Sequence, residues 1–319
     1  LISTPGIYDM PMAEYHGNVA SAPSMSASDA IELMATCPAK WHAGSYFNPD
    51  RKEEPNKKMD LGRAAHLAVL EADDLSKGIV IVRAKTKTGK EATTYQAAEA
   101  AEMRDQALAA GKIPLLPAQW ESLLPMRDKL LAHPLAGKLL LEGGGVNERS
   151  GFWFDAGLGI WLKSRPDRVT QFNGMRVAVD LKTTGNAEPS QFARIAFNMG
   201  YHQQAAMADK VWSNLGAPLN AYYIIAQETD PPYVVQVYEM VPRAIEWGAK
   251  LNDAAAALFS ECVRANRWPE YSDGILPLAL PEWAEFRLKD LQDRGVIREP
   301  GDDPLADLIE GRGDFQPGG

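Results

Sequence analysis

The segment Met175-Arg-Val-Ala-Val-Asp-Leu-Lys182 constrains this chain more than any other. It follows Asn173-Gly174, the strongest short hairpin signal, because a tight two-residue turn needs positive φ at its centre. Val177, Ala178, Val179 and Leu181 are apolar, which predicts a strand buried in a sheet. Asp180 and Lys182 interrupt that run two residues apart, so they share one face. Burying both is costly unless they pair or hold a metal. Asp167, in Ser164-Arg-Pro-Asp167, lies across the hairpin, and the turn folds strands 167–172 and 175–182 together. Both aspartates then reach one end of the sheet. Two carboxylates and a lysine suffice for magnesium-assisted attack on a phosphodiester: oxygens suit a hard cation, and the lysine orients or activates the nucleophile.

The rest of the chain frames that strand. Its 319 residues are 45% hydrophobic and 24% charged, enough for a large core. Cys37 and Cys262 stand far apart, which excludes a disulfide scaffold or a zinc ribbon. With no apolar run near the roughly 18 residues of a membrane span, the expectation is a cytoplasmic protein with no membrane partner. Residues 1–24 read as loop-rich. Helices are expected from Ser26, where Ser26-Ala-Ser28-Asp29 fits a capping box, and over Leu61–Glu71, Glu91–Ala110 and Ala118–Leu131. Hairpins are expected over 152–164 and 167–182. A helical region from Ser190 to Leu215 has Gly200 as a break point, and strands Ala221–Gln227 and Tyr233–Met240 precede helix Pro242–Ala265. This order predicts an α/β fold, a central mixed sheet flanked by helices.

Several of these residues resemble a known family. Pro166-Asp167 with Asp180-Leu-Lys182 looks like the PD-(D/E)xK nuclease signature. Gly62-Arg-Ala-Ala-His66 and Tyr201-His-Gln-Gln204 resemble the upstream histidine and downstream tyrosine/glutamine motifs of its RecB-like branch. Gly6-Ile-Tyr-Asp, Glu14-Tyr-His and Met25-Ser-Ala-Ser28-Asp are similar to the start of the RecE-type exonuclease (exonuclease VIII) nuclease domain. Trp268-Pro, Tyr271-Ser-Asp and Leu278-Ala-Leu-Pro281 are similar to its end. The likeness runs over about residues 5–285 in order; Ala208 departs from it, standing where the family usually has an aromatic.

The resemblance implies a PD-(D/E)xK nuclease fold over 1–285 and an ATP-independent 5′→3′ exodeoxyribonuclease that trims linear duplex ends to 3′ tails. It implies magnesium, with manganese able to substitute, held by His66, Asp167, Asp180 and the carbonyl of Leu181. Lys182, Gln204 and Tyr201 would serve catalysis, with Glu148 resembling a family glutamate of supporting function; Glu71, five residues beyond His66 and well round the helix from it, is a further candidate from its position alone. An endonuclease, a single-strand nuclease and an inactive DNA-binding relative are the alternatives. His16, His42, His133 and His202 are expected to be structural.

For DNA contact, Arg83, Lys85, Lys87 and Lys90 form a basic strip on a chain of net charge −9, though such runs are often only solvated loops. Arg165 is a further expected contact. Ser28 stands at a helix N-terminus, in a setting like the 5′-phosphate segment of the related phage exonucleases; plain capping is the competing role. Residues 286–319 read as a partly flexible acidic tail, suited to a protein partner such as a single-strand annealing protein. A ring-shaped homo-oligomer is the expected assembly, by likeness to the same exonucleases.

Overall fold

The computed structural model describes residues 1–51, 60–71 and 75–297. The chain divides into two compact units, Leu1–Tyr271 and a second beginning at Ser272. Chain order in the first unit gives β1 (Gly6–Tyr8), β2 (Ser24–Met25), α1 (Ala27–Ala35), α2 (Asp60–His66), β3 (Ile79–Ile81), α3 (Ala98–Ala109), β4 (Ile113–Leu115), α4 (Pro117–Ala132) and α5 (Pro134–Leu141). Then come β5 (Val146–Asn147), β6 (Ser150–Asp155), β7 (Ile160–Ser164), β8 (Arg168–Phe172), β9 (Met175–Thr184), α6 (Pro189–Asn198), α7 (Tyr201–Asn214), β10 (Ala221–Glu228), β11 (Val235–Glu239) and α8 (Pro242–Ala265). In the second unit, α9 (Glu282–Asp293) buries none of its residues. Among the described residues no helix is long and apolar enough to cross a membrane.

The central sheet has five strands in the order β11-β10-β9-β8-β5, with β10 parallel to β9 and the other pairs antiparallel. Strand β9 is its middle, and its alternation decides what lies on each side. Val177, Val179 and Leu181 are fully buried in one apolar cluster with Leu130, Leu139 and Leu140 of α4 and α5. Ala178 belongs to the opposite cluster, with Ala205, Ala208, Val211 and Trp212 of α7. Asp180, two residues on from Ala178, therefore points to the α7 side.

The expected helix from Ser26 is present as α1. Ser26 is its N-cap, and the box with Asp29 is complete: the Ser26 N–H and hydroxyl donate to Asp29 Oδ2 at 2.7 and 2.6 Å. The region 190–215 breaks at Gly200, which sits at φ 68°; a side chain there would also run into Ile31 of α1 at 2.6 Å. Only glycine meets both conditions.

Four expectations need correction. Residues 1–24 are not simply loop, since β1 pairs with β6 and β2 with β7. The 152–164 hairpin forms, but in a separate four-stranded sheet ordered β1-β6-β7-β2. The helix expected over Glu91–Ala110 starts only at Ala98, because Glu91 bridges back to Lys85 and Ala92 N–H donates to the carbonyl of Ala84 at 2.8 Å. The strand expected from Tyr233 starts at Val235, since Tyr233 adopts a turn conformation at φ 57°.

Candidate active site

The β8–β9 hairpin sets the two aspartates against each other. Its register pairs Arg168 with Val179, which puts Asp167, just before β8, beside Asp180. Asp167 N–H donates to Asp180 Oδ1 at 3.2 Å, and Leu181 N–H donates to Asp167 Oδ2 at 2.7 Å. Each carboxylate is thus oriented by the backbone of the other strand.

Helix α2 brings the imidazole. At Gly62 an added Cβ would stand 3.1 Å from Thr183 Oγ1, so glycine lets the helix lie close on the end of β9. One turn later His66 Nε2 lies 2.7 Å from the carbonyl oxygen of Leu181, and its Nδ1 lies 3.5 Å from Asp167 Oδ2. The helix continues to Glu71 as expected, but Leu67–Glu71 is wound as a π-helix, a form that occurs often at functional sites. Asn147 fixes that wide turn, donating to the carbonyl of Leu70 at 2.6 Å while accepting from Arg168 at 2.7 Å. The side chain of Glu71 lies outside the described residues.

His66, Asp167 and Glu148 offer ligand atoms that all lie within 4.8 Å of one another. Glu148 follows β5 at φ 55°, a left-handed conformation that costs a non-glycine residue roughly 1–2 kcal/mol. Its N–H donates to the carbonyl of Asp167 at 2.9 Å, which holds the strained turn against the site. Two carboxylates and an imidazole, with no thiolate, fit a hard divalent cation. Asp180 is not a member of this cluster but touches it through Asp167 N–H.

Lys182 Nζ lies 3.0 Å from Asp180 Oδ2 and 5.2 Å from the centre of the Tyr201 ring. Tyr222, from the parallel strand β10, donates its hydroxyl to the same Oδ2 at 2.6 Å. The electrostatics follow from burial and these contacts. Burial pushes the Asp180 carboxyl up, but the Lys182 charge and the donors around it prevail and hold it below the usual carboxylate range. Burial pushes Asp167 up to about 6; the nearby His66 opposes this and the Asp180 charge adds to it. Burial pulls the Lys182 ammonium down, yet Asp180 and Asp167 together hold it well above the usual lysine value. Lys182 is therefore a fixed cation in this arrangement.

A cavity of about 150 Å³ opens on this face, lined by Asp167, Asp180, Lys182, Gln204, Tyr222, Ser28, Arg165, Tyr15 and His16 among others. Gln204 Oε1 is buried there and has no hydrogen-bond partner among the described residues, and Ala208, the departure from the family pattern, also lines the wall. Because Ser26 and Asp29 form the capping box, Ser28 is not needed as the cap. Arg165 borders the cavity, but its bonds are internal: to Glu148 at 2.7 Å, to the carbonyl of Met10 at 2.7 Å and to Ser150 at 2.8 Å. The strip Arg83, Lys85, Lys87 and Lys90 is exposed on a small hairpin. No described hydrogen bond or ion pair links it to the site. Of the remaining histidines, His133 accepts from the N–H groups of Leu135 and Ala136, His42 stacks on Trp268, and His202 stacks on Phe197. His16 instead faces the cavity.

A mixed sheet whose adjacent strands present Asp167 and Asp-x-Lys, with a helix supplying His66, defines a PD-(D/E)xK nuclease fold with its signature residues in place. The family model that matches residues 26–276 is the PDDEXK-like domain of unknown function (DUF3799), and the chain belongs to this family. No curated protein matches the sequence. Among solved structures, the chain is similar to one from Eubacterium rectale described as a "putative exonuclease". The TM-score is 0.55 at 11% identity, over 87% of this chain and 98% of that one, which shows a shared fold. The solved structure of SSO0001 aligns at a TM-score of 0.30 and 15% identity, over 63% of this chain and 85% of that one.

Sequence reasoning missed Tyr222 and the cavity-facing position of His16. Tyr222 stands in Ala221-Tyr-Tyr-Ile-Ile, which reads as sheet core. Only the parallel pairing of β10 with β9, which sets Ile224 opposite Asp180, brings the phenol to the carboxylate.

Proposed function

We propose that this chain is a divalent-metal-dependent deoxyribonuclease of RecE type. It would degrade one strand of linear duplex DNA from the 5′ end without ATP, leaving 3′ tails for phage-type recombination in a bacterial cytoplasm. The observation that carries the reading is the convergence of His66, Asp167, Asp180 and Lys182 at one sheet end, with Leu181 offering its carbonyl beside His66.

His66, Asp167, the Leu181 carbonyl and one oxygen of Asp180 would hold magnesium or manganese, with Glu148 as a further candidate ligand from the same cluster. When bound, such an ion polarises a phosphoryl oxygen and lowers the pKa of nearby water. The chain's own groups do the rest. Asp180 and the ring of Tyr201 hold Lys182 in a fixed charged form, able to orient the nucleophile by hydrogen bonding and to stabilise charge growing on the phosphoryl oxygens. A lysine held so far above its usual pKa is suited to orienting rather than to removing a proton. Ser28, on the cavity wall near the start of α1, suits a terminal phosphate, since the first N–H groups of a helix attract anions. Gln204, whose buried carbonyl oxygen can accept from the Lys182 ammonium or from a water, suits positioning of that lysine or of the nucleophile, and Arg165, on the cavity wall, suits a phosphate contact.

The partners follow from the same reading. The Arg83, Lys85, Lys87 and Lys90 strip supplies non-specific affinity for duplex ends, a closed ring of identical subunits retains the DNA, and residues 286–319 engage a single-strand annealing protein. Duplex labelled at the 5′ or the 3′ end, set beside a closed circle, tests the polarity and the need for an end. Release of the 5′ label first, with the circle intact, is expected. Cleavage of the circle would make the protein an endonuclease, and a monomer by light scattering at micromolar concentration would remove the ring.

A further inference from the structure

The two oxygens of Asp180 are not equivalent. A carboxylate oxygen accepts along two lone-pair directions. Oδ2 already accepts two donors, the Tyr222 hydroxyl at 2.6 Å and the Lys182 ammonium at 3.0 Å. Among the described residues Oδ1 accepts one, the backbone N–H of Asp167 at 3.2 Å, which leaves one direction free beside the Asp167–His66 cluster. Tyr222 is 4% exposed, so its hydroxyl is shut off from solvent and held on Oδ2 as a donor.

We propose that Tyr222 is a specificity-determining residue that limits Asp180 to one available oxygen and so tilts the site toward a small, octahedral cation over calcium. Calcium takes six to eight oxygens and readily accepts both oxygens of one carboxylate, whereas magnesium demands near-ideal octahedral geometry from single oxygens. A saturated Oδ2 therefore removes a ligand that calcium would use and magnesium would not. This rests on the metal-dependent reading given above. It adds that a residue on the neighbouring strand, outside the aspartate–lysine signature, sets which ion is taken.

The test is calorimetric titration of the metal-stripped full chain with magnesium and, separately, calcium, in wild type and in Tyr222→Phe, with thermal melts alongside. Tyr222→Phe removes one oxygen and keeps the ring. The calcium-to-magnesium affinity ratio is expected to rise on the order of tenfold, the scale of one hydrogen bond to a charged group. A merely structural hydroxyl would lower the melting temperature and leave the ratio alone, so a ratio within twofold of wild type overturns the proposal. If Tyr222→Phe does not fold, Lys182→Met empties the other donor position on Oδ2 and must move the ratio in the same direction; an unchanged ratio again overturns the proposal. Wild type that binds neither ion would overturn this inference and the metal site together. Magnesium binding with an unshifted ratio would remove only the role of Tyr222.

Discussion

Two charged segments of this protein, the Asp180–Lys182 strand and the Arg83–Lys90 strip, show opposite ways of carrying charge. Asp180 is 5% exposed, and three donors converge on its two oxygens. Arg83 is 64% exposed, and its contact with Glu91 is 3.4 Å long. An exposed pair of that kind contributes about 0–1 kcal/mol and is screened by salt, whereas breaking a buried pair costs about 3–5 kcal/mol. Charge in a strand core persists only where fixed partners compensate it, and that pre-organisation is what catalysis on a phosphate requires. A surface strip is adjustable and suits long-range attraction. The two segments should therefore fail differently when altered.

The largest difference should appear in turnover. Lys182→Ala or Asp180→Ala should lower DNA hydrolysis by roughly a thousandfold, the scale set by losing one fixed electrostatic partner of the transition state. Binding of duplex ends should survive. Turnover within tenfold of wild type at saturating magnesium would end the contrast between the two segments.

A smaller effect is expected at His66, where two carboxylates remain. His66→Ala should weaken magnesium binding by about 10–100-fold by calorimetry, the range typical when one supporting group of a metal site is removed. Unchanged affinity would place the ion elsewhere.

Asp167 gives a pH signature that the strip cannot. Its carboxyl is pushed up to about 6 in the folded, metal-free protein, against an ordinary value of 3.8. The folded state thus holds the proton more tightly. The stability this contributes is fully present below about pH 4 and is lost as pH rises to about 6. Asp180 works in the opposite sense, its contribution being lost only as pH falls below 3.8. Asp167→Asn should accordingly be more stable than wild type at pH 7 without metal, by about 1–2 kcal/mol; the effect is moderated because the Asp167 side chain keeps 15% exposure. Chemical denaturation at pH 4 and pH 7 measures the difference, and equal gaps at both would refute it.

The smallest effect on chemistry belongs to the strip. Replacing Lys85, Lys87 and Lys90 together should flatten the salt dependence of DNA binding by about 0.9 for each phosphate that the strip no longer neutralises. Turnover at saturating DNA should stay within about threefold. An unchanged slope would leave the strip as a solvated hairpin.

The same contrast explains what the sequence made legible. Asp180 and Lys182 stood out because charge in an apolar strand needs a reason, and Asn173-Gly174 located their partner strand. His66 was visible through its spacing from Gly62, and the structure adds why: Gly62 lets the helix lie against Thr183. The capping box at Ser26 and the break at Gly200 depend on neighbouring residues and were equally readable. What could not be read depends on contacts remote in sequence. Tyr222 reaches Asp180 only through parallel pairing across 42 residues; Glu148 was expected in a supporting role, but the left-handed turn from which it meets His66 and Asp167 carries no sequence signal. The start of α3 was misplaced because Glu91 and Ala92 pair with Lys85 and Ala84 instead of continuing a helix.

The central claim is that Asp167, Asp180, Lys182 and His66 form a metal-dependent nuclease centre. The most direct test incubates linear duplex DNA with metal-stripped wild type, then with magnesium added, and repeats both with Lys182→Ala. The account predicts no cleavage without metal, cleavage by wild type once magnesium is added, and a rate about a thousandfold lower for Lys182→Ala under the same conditions. Equal cleavage with and without chelator, or equal rates for wild type and Lys182→Ala, would contradict it.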